Sequence, residues 1–153
     1  MPDRMPRFDD GDDEDEELGF SLFREYVEDV DFSNLTLCRT FFGRSEINAC
    51  SFHHTDLTES NMTWNDFIEV DFSQAVLVAC DMRASLFEEV NFAGANLSGS
   101  DLRQSSFESC DFSDAIMQDV ILTHAQGGAM DLSDEQRSSI AWTDDEGDEP
   151  EGG

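Results

Sequence analysis

The sequence contains no lysine. Its absence removes lysine-dependent covalent chemistry and the lysine that grips phosphate in a nucleotide-binding loop, so an ordinary NTPase is not expected. Basic residues are scarce altogether: eight arginines stand against 36 acids in 153 residues, a formal charge of -28. That balance disfavours direct binding to nucleic acid or to an anionic membrane, and makes the basic surface of a protein the natural partner. No run approaches the 18 apolar residues of a membrane span, and the N-terminal stretch is acidic where a secretory signal would be basic and then apolar. The expected compartment is the cytoplasm. A nucleophile–base pair, a glycine-rich phosphate loop and a carboxylate pair set in a cleft are all missing. The reading is therefore a non-enzyme with no catalytic residue, cofactor or metal ligand.

What is present is unevenly spread. Residues 1–29 hold 12 acids and 3 Arg, residues 30–124 hold 15 and 4, and residues 125–153 hold 9 and 1. The runs Asp9 to Glu17 and Asp144 to Glu151 have almost no apolar content to offset the entropy of ordering, so they read as solvated tails. The domain plan is an acidic tail (1–19), a cap or imperfect first coil (20–29), a repeat region (30–124), a C-terminal cap (125–142) and a second acidic tail (143–153).

The repeat has a period of five. Stepping from Phe32 through Leu37, Phe42 and Ile47 to Leu122 gives nineteen consecutive Phe, Leu, Ile or Met residues. With 39% of the chain hydrophobic, chance gives such a run with a probability of roughly 10⁻⁷. Two residues before most centres stands a small or modest side chain, such as Thr40, Cys50, Ala75, Ser85 or Cys110. The residue just before the centre is Asp or Asn in ten of the nineteen units. Neither a helical stripe of period 3.6 nor a strand alternation of period two produces this spacing. A second period of twenty lies over the first, with Phe32, Phe52, Phe72, Phe92 and Phe112 all Phe and Leu37, Leu57, Leu77 and Leu97 all Leu. Four units complete one turn, so like residues stack along the axis of a four-sided solenoid.

The pattern resembles the pentapeptide-repeat family, whose units read small, Asp or Asn, Leu or Phe, then two polar residues. The resemblance covers residues 30–124. It implies an all-β fold, a right-handed quadrilateral β-helix of about five coils whose centres and minus-two residues point inward. The open ends of such a rod need caps. Ser133-Asp134-Glu135-Gln136 reads as a capping box, which predicts a short helix near 134–140 with Ile140 and Trp142 over the last coil. At the other end Phe20, Leu22, Phe23, Tyr26 and Val27 fit either an imperfect coil in phase or an amphipathic turn. The cysteines read as reduced fillers: Cys50 and Cys110 share a column three coils apart, beyond bridging distance, Cys80 lies on another side and Cys38 points outward.

Sorting the outward charges by side polarises the rod. The side centred on Ile47, Phe67, Phe87 and Phe107 carries Glu46, Asp66, Glu69, Glu88, Glu89 and Glu108; the adjoining Phe32 side carries Asp31, Asp71, Asp111 and Asp114; neither carries an Arg. The other two sides balance five acids against Arg39, Arg44, Arg83 and Arg103. These ten acids are the candidate partner-binding faces. A second candidate surface is apolar: Phe41, Trp64, Val76, Val78, Ile116 and Ile121, to be covered by a terminal segment or by a second copy, so that monomer and homodimer both stay open.

The functional expectation is a rigid acidic scaffold displaying a polarised surface to a basic protein partner. An alternative follows from likeness to the quinolone-resistance branch of the family, whose members bind DNA gyrase: a DNA mimic that inhibits or protects a type II topoisomerase. A second alternative is a salt-adapted protein whose acidity serves solubility.

Overall fold

A computed structural model describes residues 20–144. Both acidic runs, Asp144 apart, lie outside the described residues. Nine short strands and two helices follow one another as β1 (Ser21–Phe23), β2 (Tyr26–Glu28), β3 (Phe41–Gly43), β4 (Glu46–Asn48), β5 (Asp66–Ile68), β6 (Leu86–Glu88), β7 (Ser106–Glu108), β8 (Ile121–Thr123), α1 (His124–Gly128), α2 (Asp134–Ser139) and β9 (Ala141–Thr143). Every strand pair is parallel and joins residues twenty apart, as in Ile47 with Phe67 and Phe67 with Phe87. Single bridges on the other sides keep the same offset, as in Asp31–Ser51 and Val76–Asn96. The chain is therefore a β-solenoid with four residue columns per turn, and β2, β4, β5, β6 and β7 make the continuous sheet of the Ile47 wall.

The solenoid runs to about six turns rather than five. Residues 20–29 begin the first, with Leu22 under Phe42 and Val27 under Ile47, and Phe32 and Leu37 complete it. At the far end β9 sets Trp142 against Leu122. Both additions escape a strict count of fives because their outward positions are irregular, while the inward centres keep phase.

Eighteen of the nineteen repeat centres are buried; the exception is Phe107, half-buried at the last rung of its column. The phenylalanines form two near-parallel ladders. Centroids are 4.9–5.5 Å apart along Phe32, Phe52, Phe72, Phe92 and Phe112, and 5.1 Å apart along Phe67, Phe87 and Phe107. That distance is the parallel-strand spacing plus a small offset, so stacking follows directly from the backbone repeat.

The minus-two positions do more than fill space. Thr55 donates its hydroxyl to Phe32 O, Ser85 to Met62 O, Ser100 to Leu77 O and Ser105 to Met82 O, each a carbonyl of the previous turn. The same hydroxyls accept backbone N–H groups twenty residues earlier, from Leu35, Asn65, Cys80 and Ser85. Cys50, Cys80 and Cys110 occupy equivalent positions, with their sulfurs beside Val27 O, Leu57 O and Phe87 O. All four cysteines are thiols. Burial pushes the Cys80 thiol up to about 12, which keeps it a neutral filler.

Each corner is made by a residue in left-handed conformation. The second residue after every centre from Leu22 to Met117 has positive φ, and of these twenty only Gly94 and Gly99 are glycine. The non-glycine members include Trp64 at +62° and Glu89 at +57°, a conformation L-residues adopt only at some cost. The residue before the centre helps to hold the corner: Asp31, Asp56, Asn61, Asp71, Asp81, Asn91, Asn96, Asp101 and Asp111 each accept the amide two positions on. This local bond gives the Asp/Asn preference of the repeat its physical basis.

The C-terminal end is closed by two helices built alike. Thr123 and Gln126 form a capping box on α1, and Ser133 and Gln136 form one on α2. Each glutamine turns its side-chain N–H₂ toward the solenoid, Gln126 donating to Leu102 O and Ser105 O, Gln136 to Phe112 O and Ala115 O. Carbonyls that the next turn would have engaged are thereby satisfied. The expectation included only the second helix; the first shares its Ser/Thr-x-x-Gln signature ten residues earlier. Met130, Leu132 and Ile140 complete the buried cover.

Candidate protein-binding faces

The period of twenty dictates the candidate site, because it turns positions scattered along the sequence into columns. On the Ile47 wall, Glu46 and Asp66 are register partners, and so are Glu88 and Glu108. Glu69 and Glu89 occupy the same corner column one turn apart. Paired carboxylates therefore sit on backbone about 4.8 Å apart, a spacing at which like charges repel. Partial burial, and next the charge of Glu46, push the Asp66 carboxyl above its ordinary value.

The Phe32 wall is arranged differently. Asp31, Asp71 and Asp111 alternate with Ser51 and Asn91, so its carboxylates stand about 10 Å apart. Asp114 lies at the adjoining corner. Ser33 and Ser113 donate to Asp31 and Asp111 and hold both below the ordinary carboxylate range. His53 and His54 share this wall with ring centroids 4.4 Å apart, and His53 Nδ1 lies 2.9 Å from Ser73 Oγ.

All ten candidate acids are exposed or half-buried. Ion pairs between described residues fall elsewhere: Arg39–Glu59, Arg83 with Asp81 and Asp101, Arg103–Asp101, and His124–Asp144. Arg39, Arg83 and Arg103 thus offset acids on the Leu37 and Phe42 walls, while the acids of the Ile47 and Phe32 walls enter none of these pairs. Adding the first turn extends that surface. Glu28 joins the column of Glu88 and Glu108, and Asp29 heads the corner column of Glu69 and Glu89. The sequence reading stopped at residue 30 and so missed both; the apolar phase of Leu22 and Val27 was the signal for them.

Two features limit the surface. Arg24 and Arg44 stand at the corner next to the Ile47 wall and line a cleft with Tyr26, Glu46 and Asp66, so its first rungs are bordered by cations. The expected apolar surface is also dispersed. Phe41 stacks on Phe23, Trp64 lies under the Arg44 guanidinium at 5.3 Å, and Ile121 pairs with Ala141. Val76, Val78 and Ile116 lie on the Leu37 wall, where Asn96 separates Val76 from Ile116. The six residues do not come together. Among the described residues no three His, Cys, Asp or Glu side chains group to hold a metal ion, and no helix is long and apolar enough to cross a membrane.

Segments 28–63, 45–83, 66–104 and 85–124 match pentapeptide repeats and together span more than half of the sequence. The chain belongs to the pentapeptide repeat family. Among solved structures, this pentapeptide repeat protein is similar to one from the Arabidopsis thaliana thylakoid lumen, with 27% identity, a TM-score of 0.61, and coverage of 74% of this chain and 72% of the other. It also matches trypsin-treated QnrB1, a plasmid-mediated fluoroquinolone resistance protein, at 16% identity and a TM-score of 0.47, covering 82% and 88% of the two chains. A third match is Rfr23 from the cyanobacterium Cyanothece 51142, at 14% identity and a TM-score of 0.41 over 80% and 88%. Comparison with curated proteins finds no match.

Proposed function

We propose that this pentapeptide repeat protein is a non-enzymatic scaffold whose Ile47 and Phe32 walls dock on the basic face of a protein that itself binds nucleic acid. One observation carries the reading: among the described residues the acids of two adjoining walls enter no ion pair, while Arg39, Arg83 and Arg103 pair with acids on the other two. Glu28, Asp29 and the ten predicted acids occupy five rungs, about 24 Å of axis, or one carboxylate per ~2 Å, against about one phosphate charge per 1.7 Å for duplex DNA. A solid rod of this kind offers fixed anions with little conformational entropy left to lose on binding. Four reduced thiols fit a cytoplasmic setting.

DNA gyrase is the specific candidate in this class. The test is supercoiling by purified gyrase titrated with the protein at several salt concentrations. Inhibition that weakens with salt and disappears in the triple reversal Glu69→Arg, Glu88→Arg, Glu89→Arg supports mimicry. Absence of inhibition at large molar excess removes gyrase, and failure of the protein to displace DNA from any of a panel of basic DNA-binding proteins removes the wider reading.

A further inference from the structure

One corner of the solenoid departs from the chemistry of the rest. Arg24, Arg44 and Trp64 are the left-handed residues of three successive turns, and two positions on stand Tyr26, Glu46 and Asp66, register partners on the Ile47 wall. The two columns line a single cleft. Within a column the backbone repeats at about 4.8 Å, so Arg24 and Arg44 are stacked like charges, and so are Glu46 and Asp66. Among the described residues none of the four enters an ion pair. The two guanidinium groups lie instead over aromatic rings, Arg24 over Phe23 at 5.1 Å and Arg44 over Trp64 at 5.3 Å. The fold does not require an indole at this corner, since the next residues of its column are Ala84 and Gln104. Trp64 nevertheless occupies it at φ +62°, an unfavourable region for a bulky side chain, and its Nε1 is buried without an acceptor. Of the large apolar side chains left most exposed, Phe23, Tyr26 and Ile116, the first two flank the cleft. Arg, Trp and Tyr are the side chains that most often carry the energy of an interface.

We infer that this cleft is the contact between two copies of the chain, related by a two-fold axis parallel to the solenoid. Such an axis exchanges the two columns at constant height. Arg24 then meets the partner's Tyr26, Arg44 the partner's Glu46 and Trp64 the partner's Asp66, and each contact occurs twice. The first sets a cation over an aromatic ring and the second is a charge-assisted hydrogen bond. The third gives the indole N–H its acceptor as the Arg44 guanidinium leaves the ring for the partner's Glu46. A two-fold axis perpendicular to the solenoid would set the arginine columns against each other, so the charges select the parallel arrangement. Cations and carboxylates that repel their own column neighbours are neutralised together. The Phe32 wall and Glu69, Glu88, Glu89 and Glu108 stay outside the contact, so it stands independently of the docking proposed above.

The experiment is sedimentation equilibrium of the full chain in about 0.15 M salt, where the screening length is about 8 Å and only close charges act. It compares the wild type, Arg44→Glu, Glu46→Arg and an equimolar mixture of the two variants. The inference predicts a wild-type dimer, at least about tenfold weaker association of either variant alone, and recovery of the dimer in the mixture. In the mixed dimer both contacts between positions 44 and 46 join opposite charges, whereas each variant alone joins like with like. Recovery also shows that both variants fold. A wild type that stays monomeric at the highest concentration reached overturns the inference. So does a dimer that either variant leaves intact, which would place the contact on another face, or a mixture that stays monomeric.

Discussion

At the residue scale, the same acidic side chain plays two roles according to its position in the unit. Asp31 and Asp111 accept hydrogen bonds from the serine two positions on and are held below the ordinary value; Asp66 is raised by burial and by Glu46. A lowered carboxylate contributes stability that is present above its unfolded value near 3.8 and lost as pH falls through the folded value. A raised one does the opposite: its penalty is felt above the folded value and is relieved as pH falls through it. Acidification should therefore protonate Asp66 before Asp31 and Asp111. Carboxyl carbon NMR titration reads the order directly; Asp66 titrating together with Asp111 would show that neither burial nor Glu46 raises Asp66. The role of Asp31 and Asp111 has a local mark, the serine two positions on; the role of Asp66 has none, since it too is an Asp before an apolar centre. Ser33, two positions on, lowers Asp31, whereas burial and then the column neighbour Glu46 raise Asp66.

At the element scale, a single strand here is three residues long and has no stability alone; the column is the cooperative unit. Phe72 lies between Phe52 and Phe92 at 5.1 and 5.5 Å and is fully buried. Phe72→Ala should cost about 3–5 kcal/mol in chemical denaturation, because neighbouring rungs tied by backbone bonds cannot collapse into the void. A loss under about 1 kcal/mol would mean the column is not a core. The columns were readable because burial imposes the same demand on every fifth residue. The helix α1 was not, for its Thr123-x-x-Gln126 signature overlaps the last apolar centre, Leu122, and local propensity gives no reason to leave the repeat there. The decision comes from the solenoid end, where Gln126 finds two carbonyls without a next turn.

At the scale of the whole molecule, charge segregation should appear in the salt response. Acids on the Ile47 and Phe32 walls stand about 5–10 Å from their column neighbours, inside the screening length of about 30 Å at 0.01 M salt and outside that of about 3 Å at 1 M. The melting temperature should rise by several degrees across that range, with the protein folded throughout. A flat curve would show that repulsion across rungs is negligible. Unfolding at low salt would favour acidity as salt adaptation over acidity as a binding surface.

The periods of five and twenty fix the four-sided stack, its buried columns and the wall to which each acid belongs, because burial repeats along one dimension and can be counted. Where the stack begins and ends, which hydroxyls bridge its turns and which acid Arg39 meets were decided only in three dimensions. Those outcomes depend on what the neighbouring turn offers, and a neighbour twenty residues away leaves no mark on the local sequence.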